Sequence, residues 1–273
     1  MARVSVVMEK LSHLFSSWNF CEGDFAPVLA QIRSRKSEFC RNDNSLSIHN
    51  GKDVWRIQLP ADGRKFDFVY KICNGKKPWR YMFAPSLPVR EAGNYRYLAK
   101  LNIPIPRVLA YGDVRSCFIL HESYIVVEFI AGSSDGTSFM PGGRQRDKLT
   151  LAEEFTKRNF ELLAKVHQQN FYHKAFHPRN SLFRQTAGGD LEVFWIDVAR
   201  CRIWSKPDMT WPIVHDLYTW LKDMQFEESV GLRCLEYYCR LNPKCPATAA
   251  ELLAALQRFR RRSGAKAVNV FAR

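Results

Sequence analysis

Between residues 45 and 72, apolar and polar side chains alternate with a period of two, the spacing of half-buried strands. Ser45 to His49 and Val54 to Leu59 read as strands around Asn50-Gly51, a turn in which glycine tolerates positive φ. Pro60 to Gly63 reads as the next turn and Phe66 to Ile72 as a third strand. Pro88 then opens a helix that runs to Leu101 and is stopped by Ile103-Pro-Ile-Pro106. Arg107 to Gly112 and Tyr124 to Ile130 return to strand. The second of these leads into Ala131-Gly-Ser-Ser-Asp-Gly136, a flexible stretch where the chain divides. From Thr150 the period is helical. Thr150-x-x-Glu153 has the form of a capping box, followed by an apolar stripe through Leu151, Phe155, Leu162, Leu163 and Val166. Strands over 181–184 and 191–196 flank Gly188-Gly189. Helices are expected over 214–221 and 227–241, and after a second capping box, Thr248-x-x-Glu251. Residues 4–20 carry a further helical stripe.

A chain of 273 residues buries a large core in one domain or two lobes. The pattern implies an α+β fold. It has a helical extension over 1–44, a small, mostly antiparallel β lobe over 45–130, a larger and mainly helical lobe over 131–257, and a basic tail over 258–273. No window reaches 18 uninterrupted apolar residues, and Met1 to Met8 lacks a signal-peptide core. The eight cysteines form no C-x-x-C pair and read as reduced thiols of a cytoplasmic protein.

Charge changes the picture more than composition does. A net charge of +14 favours an anionic partner. Lys76, Lys77, Arg80, Arg144, Arg146 and the cluster from Arg258 to Arg262 supply much of the field, and the tail after 257 repels itself and is expected to fray. No nucleic-acid-binding module is evident, so nucleic acid is not the expected partner.

Several residues carry candidate chemistry. Lys71 sits inside an apolar strand, where an unpaired ammonium is costly. It is either an edge charge facing water or a phosphate-binding lysine. Glu91, 20 residues later, is its candidate partner, against the alternative of a solvated first-turn acid favoured by the helix dipole. The backbone at Glu128, Phe129 and Ile130, where a strand meets the linker, suits contact with an adenine edge. Asn180 precedes Asp197 by 17 residues. An amide and a carboxylate oxygen at that spacing suit magnesium on ATP, because Mg²⁺ takes hard oxygen ligands together with substrate phosphates. In the pattern H-x-D-x-x-x-x-N the acid that receives the acceptor proton lies five residues before the asparagine. Here that place is Ala175, between His173 and His177.

The order strand-lysine, helix-glutamate, strand into linker, helix, H-x-x-x-H-P-x-N, strand-aspartate, helix-aspartate resembles the protein-kinase-like superfamily over roughly residues 45–255. Within it, Val69-Tyr-Lys-Ile72, Arg90 to Leu98, Ile103 to Gly112, His173 to Phe183 and Trp195-Ile-Asp-Val-Ala-Arg200 are similar to the lipopolysaccharide core kinases of WaaP/InaA type. The resemblance implies a bilobal protein-kinase-like fold. It implies transfer of a phosphoryl group from ATP, with Mg²⁺, to an inner-core sugar, typically heptose, at the cytoplasmic side of the inner membrane. Lys71 would hold the α/β-phosphates, oriented by Glu91, and Asn180 and Asp197 would bind Mg²⁺. His173 would brace the loop, His177 would be mainly structural, and Asp216 would anchor the loop backbone. The partner would be an anionic lipopolysaccharide intermediate at the membrane surface, with Trp79, Tyr81, Phe83 and Trp211 available to stack on sugars or the interface. Ala175 keeps other readings open. In one, another group such as His177 orients the acceptor hydroxyl. In a second, the chain is a catalytically weak pseudokinase and nucleotide-dependent scaffold. A third is an aminoglycoside-type phosphotransferase, which the basic charge disfavours.

Overall fold

The computed structural model describes residues 18–39, 45–49, 52–61, 63–73, 78–116, 118–245, 248–262 and 270. Most of the helix expected over 4–20, the Asn50-Gly51 turn, and Lys76 and Lys77 lie outside the described residues. The chain divides into two compact units, Met1–Tyr95 with Pro106–Ile130, and Arg96–Ile105 with Ala131–Arg273. Together they make an α+β fold.

In the first unit the described elements are β1 (Phe20–Cys21), α1 (Ala26–Ser34), α2 (Lys36–Phe39), β2 (Ser45–His49), β3 (Lys52–Ala61), β4 (Arg64–Cys73), the start of α3 (Leu87–Lys100), β5 (Val108–Ser116) and β6 (Ile119–Glu128). The strands form one antiparallel sheet in the order β1-β5-β6-β4-β3-β2. The alternation read from the sequence shows directly in β4: Phe68, Tyr70 and Ile72 are buried on one face while Val69 and Lys71 take the other. Phe25, Val28, Leu29 and Ile32 pack with the buried face, joined by Trp55, Ile57 and Leu59 of β3. Phe25 meets Phe68 edge-on at 5.2 Å. Each such fully buried side chain contributes about 1.5–3 kcal/mol relative to exposure. The contribution of residues 18–39 to this sheet and core was not evident from their sequence. The β3–β4 ladder also extends further than expected. It runs through Pro60 to Ala61 opposite Arg64, with Gly63 at φ 71° in the turn.

A buried arginine ties down the irregular segment before α3. Arg115 donates to Asp113 at 2.7 Å and to the carbonyls of Tyr81 and Ala84 at 2.6 and 3.1 Å. It also reaches the Phe118 carbonyl at 3.2 Å, so one guanidinium ties three carbonyls together.

The second unit contains β7 (Ser134–Asp135), α4 (Leu149–Gln168), β8 (Phe171–Tyr172), β9 (Ser181–Gln185), β10 (Leu191–Trp195), β11 (Arg202–Ile203), α5 (Thr210–Met224), α6 (Glu228–Leu241) and α7 (Ala249–Arg262). Its aromatic core is formed by Phe155, Phe160, Phe176, Trp195 and Trp220, with Phe176 stacked on Trp220 at 4.7 Å. Two sequence expectations fail here. Thr150 does not cap α4, which starts at Leu149 with no side-chain cap. The acid the box needs, Glu153, is taken by Arg233 at 2.6 Å and Lys157 at 2.8 Å, which hold its carboxyl down at about 2. Residues 263–269 and 271–273 lie outside the described residues, and the start of the tail at residue 258, expected to fray, instead continues α7 to Arg262. Phe259 pins that last stretch against Tyr218 and His215, at 5.0 and 5.9 Å. The box at Thr248 does form: Glu251 accepts from the Thr248 amide at 2.8 Å, and Thr248 Oγ1 accepts from the Glu251 amide at 3.3 Å.

Candidate active site

Lys71 belongs to β4, an interior strand between β6 and β3, so the edge-strand reading is excluded. On the face opposite the core, its Nζ lies 2.8 Å from Glu91 Oε2, with side chains 13% and 4% exposed. Glu91 is therefore not a solvated first-turn acid. A second bond reaches it from Tyr95, one turn along α3, at 3.5 Å. An ammonium this withdrawn from water is tolerated because a carboxylate meets it. At the end of β6, the amides of Glu128 and Phe129 donate to the carbonyls of Arg107 and Asp67, at 2.9 and 3.1 Å. Those two N–H groups are thus committed to the unit's own backbone.

In the second unit, residues 173–180 form a tightly held loop. Asp216 on α5 is fully buried and accepts from the amides of His173 and Lys174, each at 2.9 Å. His167 of α4 lies 3.3 Å from the same carboxylate and is itself 2.6 Å from the Tyr238 hydroxyl. Burial pushes the Asp216 carboxyl upward, but the hydrogen bonds from His167 and His215 outweigh it and leave it below the usual carboxylate range. Lys174 sits at φ 64°, a left-handed conformation that is costly for a lysine and held here by the anchored amides.

His173 packs edge-on against Phe176 and Trp195, at 5.3 and 5.1 Å. Burial lowers its imidazole to about 4, against partial compensation from Asp216, so the ring is neutral near pH 7. Its ring is buried among these aromatic side chains. Ala175 is also buried, and its carbonyl accepts from Asn180 Nδ2 at 2.8 Å. That bond fixes the flip of the Asn180 amide and leaves Oδ1 as its remaining acceptor. Asp197 follows β10 in the left-handed region, at φ 52° and ψ 48°. The Asn180 carbonyl accepts from the amide of Ile196 at 2.9 Å, which ties the loop to the residue before Asp197. Among the described residues no group of three or more His, Cys, Asp or Glu side chains is arranged to hold a metal ion by itself.

His177 points its Nδ1 at Asp223 of α5, 2.7 Å away. Sequence reasoning missed Asp223, although it stands seven residues after Asp216 and so on the same helical face. It also missed Asn159, whose Oδ1 accepts from Ser181 Oγ at 2.8 Å and Trp195 Nε1 at 2.9 Å and so joins β9 to β10. Arg146, expected in the approach field, instead donates to the carbonyls of Met224 and Gln225 at the end of α5, at 2.7 and 3.1 Å. Arg144 borders an open polar groove of about 690 Å³ with Ser134, Thr137, Ser138 and Gln145.

The model of the lipopolysaccharide kinase (Kdo/WaaP) family matches residues 75–238. The chain belongs to that family. Its fold is similar to that in the solved structure "WaaP in complex with acyl carrier protein", with a TM-score of 0.59 and 18% identity over 90% of this chain and 97% of that one. At that identity the likeness shows the kinase-like fold alone. No curated protein matches the sequence. Among the described residues no helix of this lipopolysaccharide-kinase family member is long and apolar enough to cross a membrane.

Proposed function

We propose that the chain transfers the γ-phosphoryl group of ATP to a hydroxyl of an inner-core lipopolysaccharide sugar, heptose being the expected acceptor. The observation that carries this reading is the Lys71–Glu91 pair. A lysine paired with a carboxylate on an interior strand, on the face away from the core, is suited to bind phosphate. In this reading Lys71 neutralises the α- and β-phosphates and Glu91 holds its ammonium in place. Asn180 Oδ1 and the Asp197 carboxylate would hold Mg²⁺, which favours such hard oxygens. The cation's contribution is to neutralise charge developing on the phosphate oxygens. His173 and Asp216 shape the loop.

The net charge of +14 supports an anionic acceptor at the cytoplasmic face of the inner membrane and disfavours a cationic aminoglycoside. Exposed Trp79, Phe83 and Trp211 suit contact with sugar or the membrane interface. The test is transfer from γ-labelled ATP to deacylated core oligosaccharide with Mg²⁺. Lys71→Ala and Asp197→Ala should each lower transfer by about 10²-fold or more. Transfer unchanged in both variants would sink the reading. Ala175 favours one second reading, a nucleotide-binding pseudokinase. It predicts Mg·ATP binding without transfer, and no gain of transfer in Ala175→Asp.

A further inference from the structure

We infer that His177 and Asp223 form a catalytic dyad that stands in for the carboxylate missing at Ala175. This rests on the kinase reading above and extends it. Three observations carry it. First, Asp216 and Asp223 lie two turns apart on α5 and both face one loop: Asp216 takes the amides of His173 and Lys174, and Asp223 takes the side chain of His177. Second, Asp223 is one residue from the end of α5, where the helix dipole disfavours an anion. Among the described residues Asp223 pairs with His177 and, at 3.8 Å, with the Lys222 ammonium, and with no backbone amide. Third, the two side chains are only 17% and 15% exposed, while His177 Nε2 makes no hydrogen bond among the described residues.

A carboxylate accepting from Nδ1–H fixes the tautomer whose Nε2 carries the free lone pair. Nε2 then accepts the hydrogen bond of the acceptor hydroxyl. As the sugar oxygen bonds to the γ-phosphorus, the O–H bond breaks and its proton passes to Nε2. The bond from the γ-phosphorus to the bridging oxygen breaks and ADP leaves. Asp223 stabilises the imidazolium so formed. His177 is the catalytic residue and Asp223 a positioning residue.

The experiment is steady-state transfer from ATP to deacylated core oligosaccharide by the full chain. It compares wild type with His177→Gln, Asp223→Asn, the double variant, and His177→Gln combined with Ala175→Asp. Each single variant should lower kcat about 10²–10³-fold with KM for ATP little changed. The double variant should be no worse than the poorer single one, because the two groups act as a unit. Adding Ala175→Asp should restore at least tenfold of the loss, which an unfolded chain cannot do. Retained kcat in Asp223→Asn, multiplied losses in the double variant, or a lowered thermal midpoint with no rescue would each overturn the dyad while leaving the kinase reading intact. A wild-type chain that transfers no phosphate would overturn both.

Discussion

Glu91 and Asp216 are two buried acids held in opposite ways. Glu91 is met by side chains, the Lys71 ammonium at 2.8 Å and more weakly the Tyr95 hydroxyl at 3.5 Å. Asp216 is met by two backbone amides at 2.9 Å and by His167. An acid paired to a side chain can be replaced together with its partner. An acid paired to amides cannot, because the amides remain whatever the side chain becomes. The first arrangement holds two opposite charges together on one sheet face, and the second ties down the backbone of a loop.

The comparison is sharpest at Asp216. Asp216→Ala orphans two buried amides and His167 and should cost about 3–5 kcal/mol in urea unfolding. A loss below about 1 kcal/mol would show that the loop holds itself. Next comes Lys71→Met, which leaves Glu91 buried without its cation and should cost about 3 kcal/mol. The double variant Lys71→Met/Glu91→Leu should recover most of that, since apolar residues of similar volume replace a buried pair at little cost. Failure to recover would mean that the pair is as irreplaceable as the amide-held acid.

The third prediction concerns pH. Burial holds His173 at about 4 against an ordinary 6.5, so between those values the unfolded chain binds the extra proton. Its stabilising effect is complete above pH 6.5 and is lost as pH falls toward 4. The fall is on the order of 1–3 kcal/mol. His173→Phe, which keeps an aromatic ring beside Phe176 and Trp195, should flatten that part of the stability–pH curve. An unchanged slope would point to another group. The smallest effects are at the two Thr-x-x-Glu sequences. Thr248→Ala should cost about 1 kcal/mol, whereas Thr150→Ala should fall within about 0.5 kcal/mol of zero. Equal losses at the two sites would contradict the geometry.

Those two sequences also show how far local reading reaches. They are identical at the positions that define a capping box, yet only the box at Thr248 closes, because Arg233 and Lys157 claim Glu153. Asp223 was invisible for a similar reason: its meaning comes from a histidine 46 residues earlier in the chain. Lys71 and Asn180 were legible because their chemistry conflicts with, or stands out from, their immediate neighbours. A lysine inside an apolar strand demands a partner wherever the strand ends up.

The sequence by itself determined the strand and helix periods, the family, and that Lys71 needs a partner. Those follow from spacing and from the cost of burying charge, both local properties. Only the tertiary structure decided that β4 is an interior strand, that Asp216 and Asp223 address one loop, and that the basic end of α7 is pinned by Phe259. These depend on which distant groups compete for one hydrogen-bond donor, carboxylate or ring face, and that competition is settled only when the chain is packed.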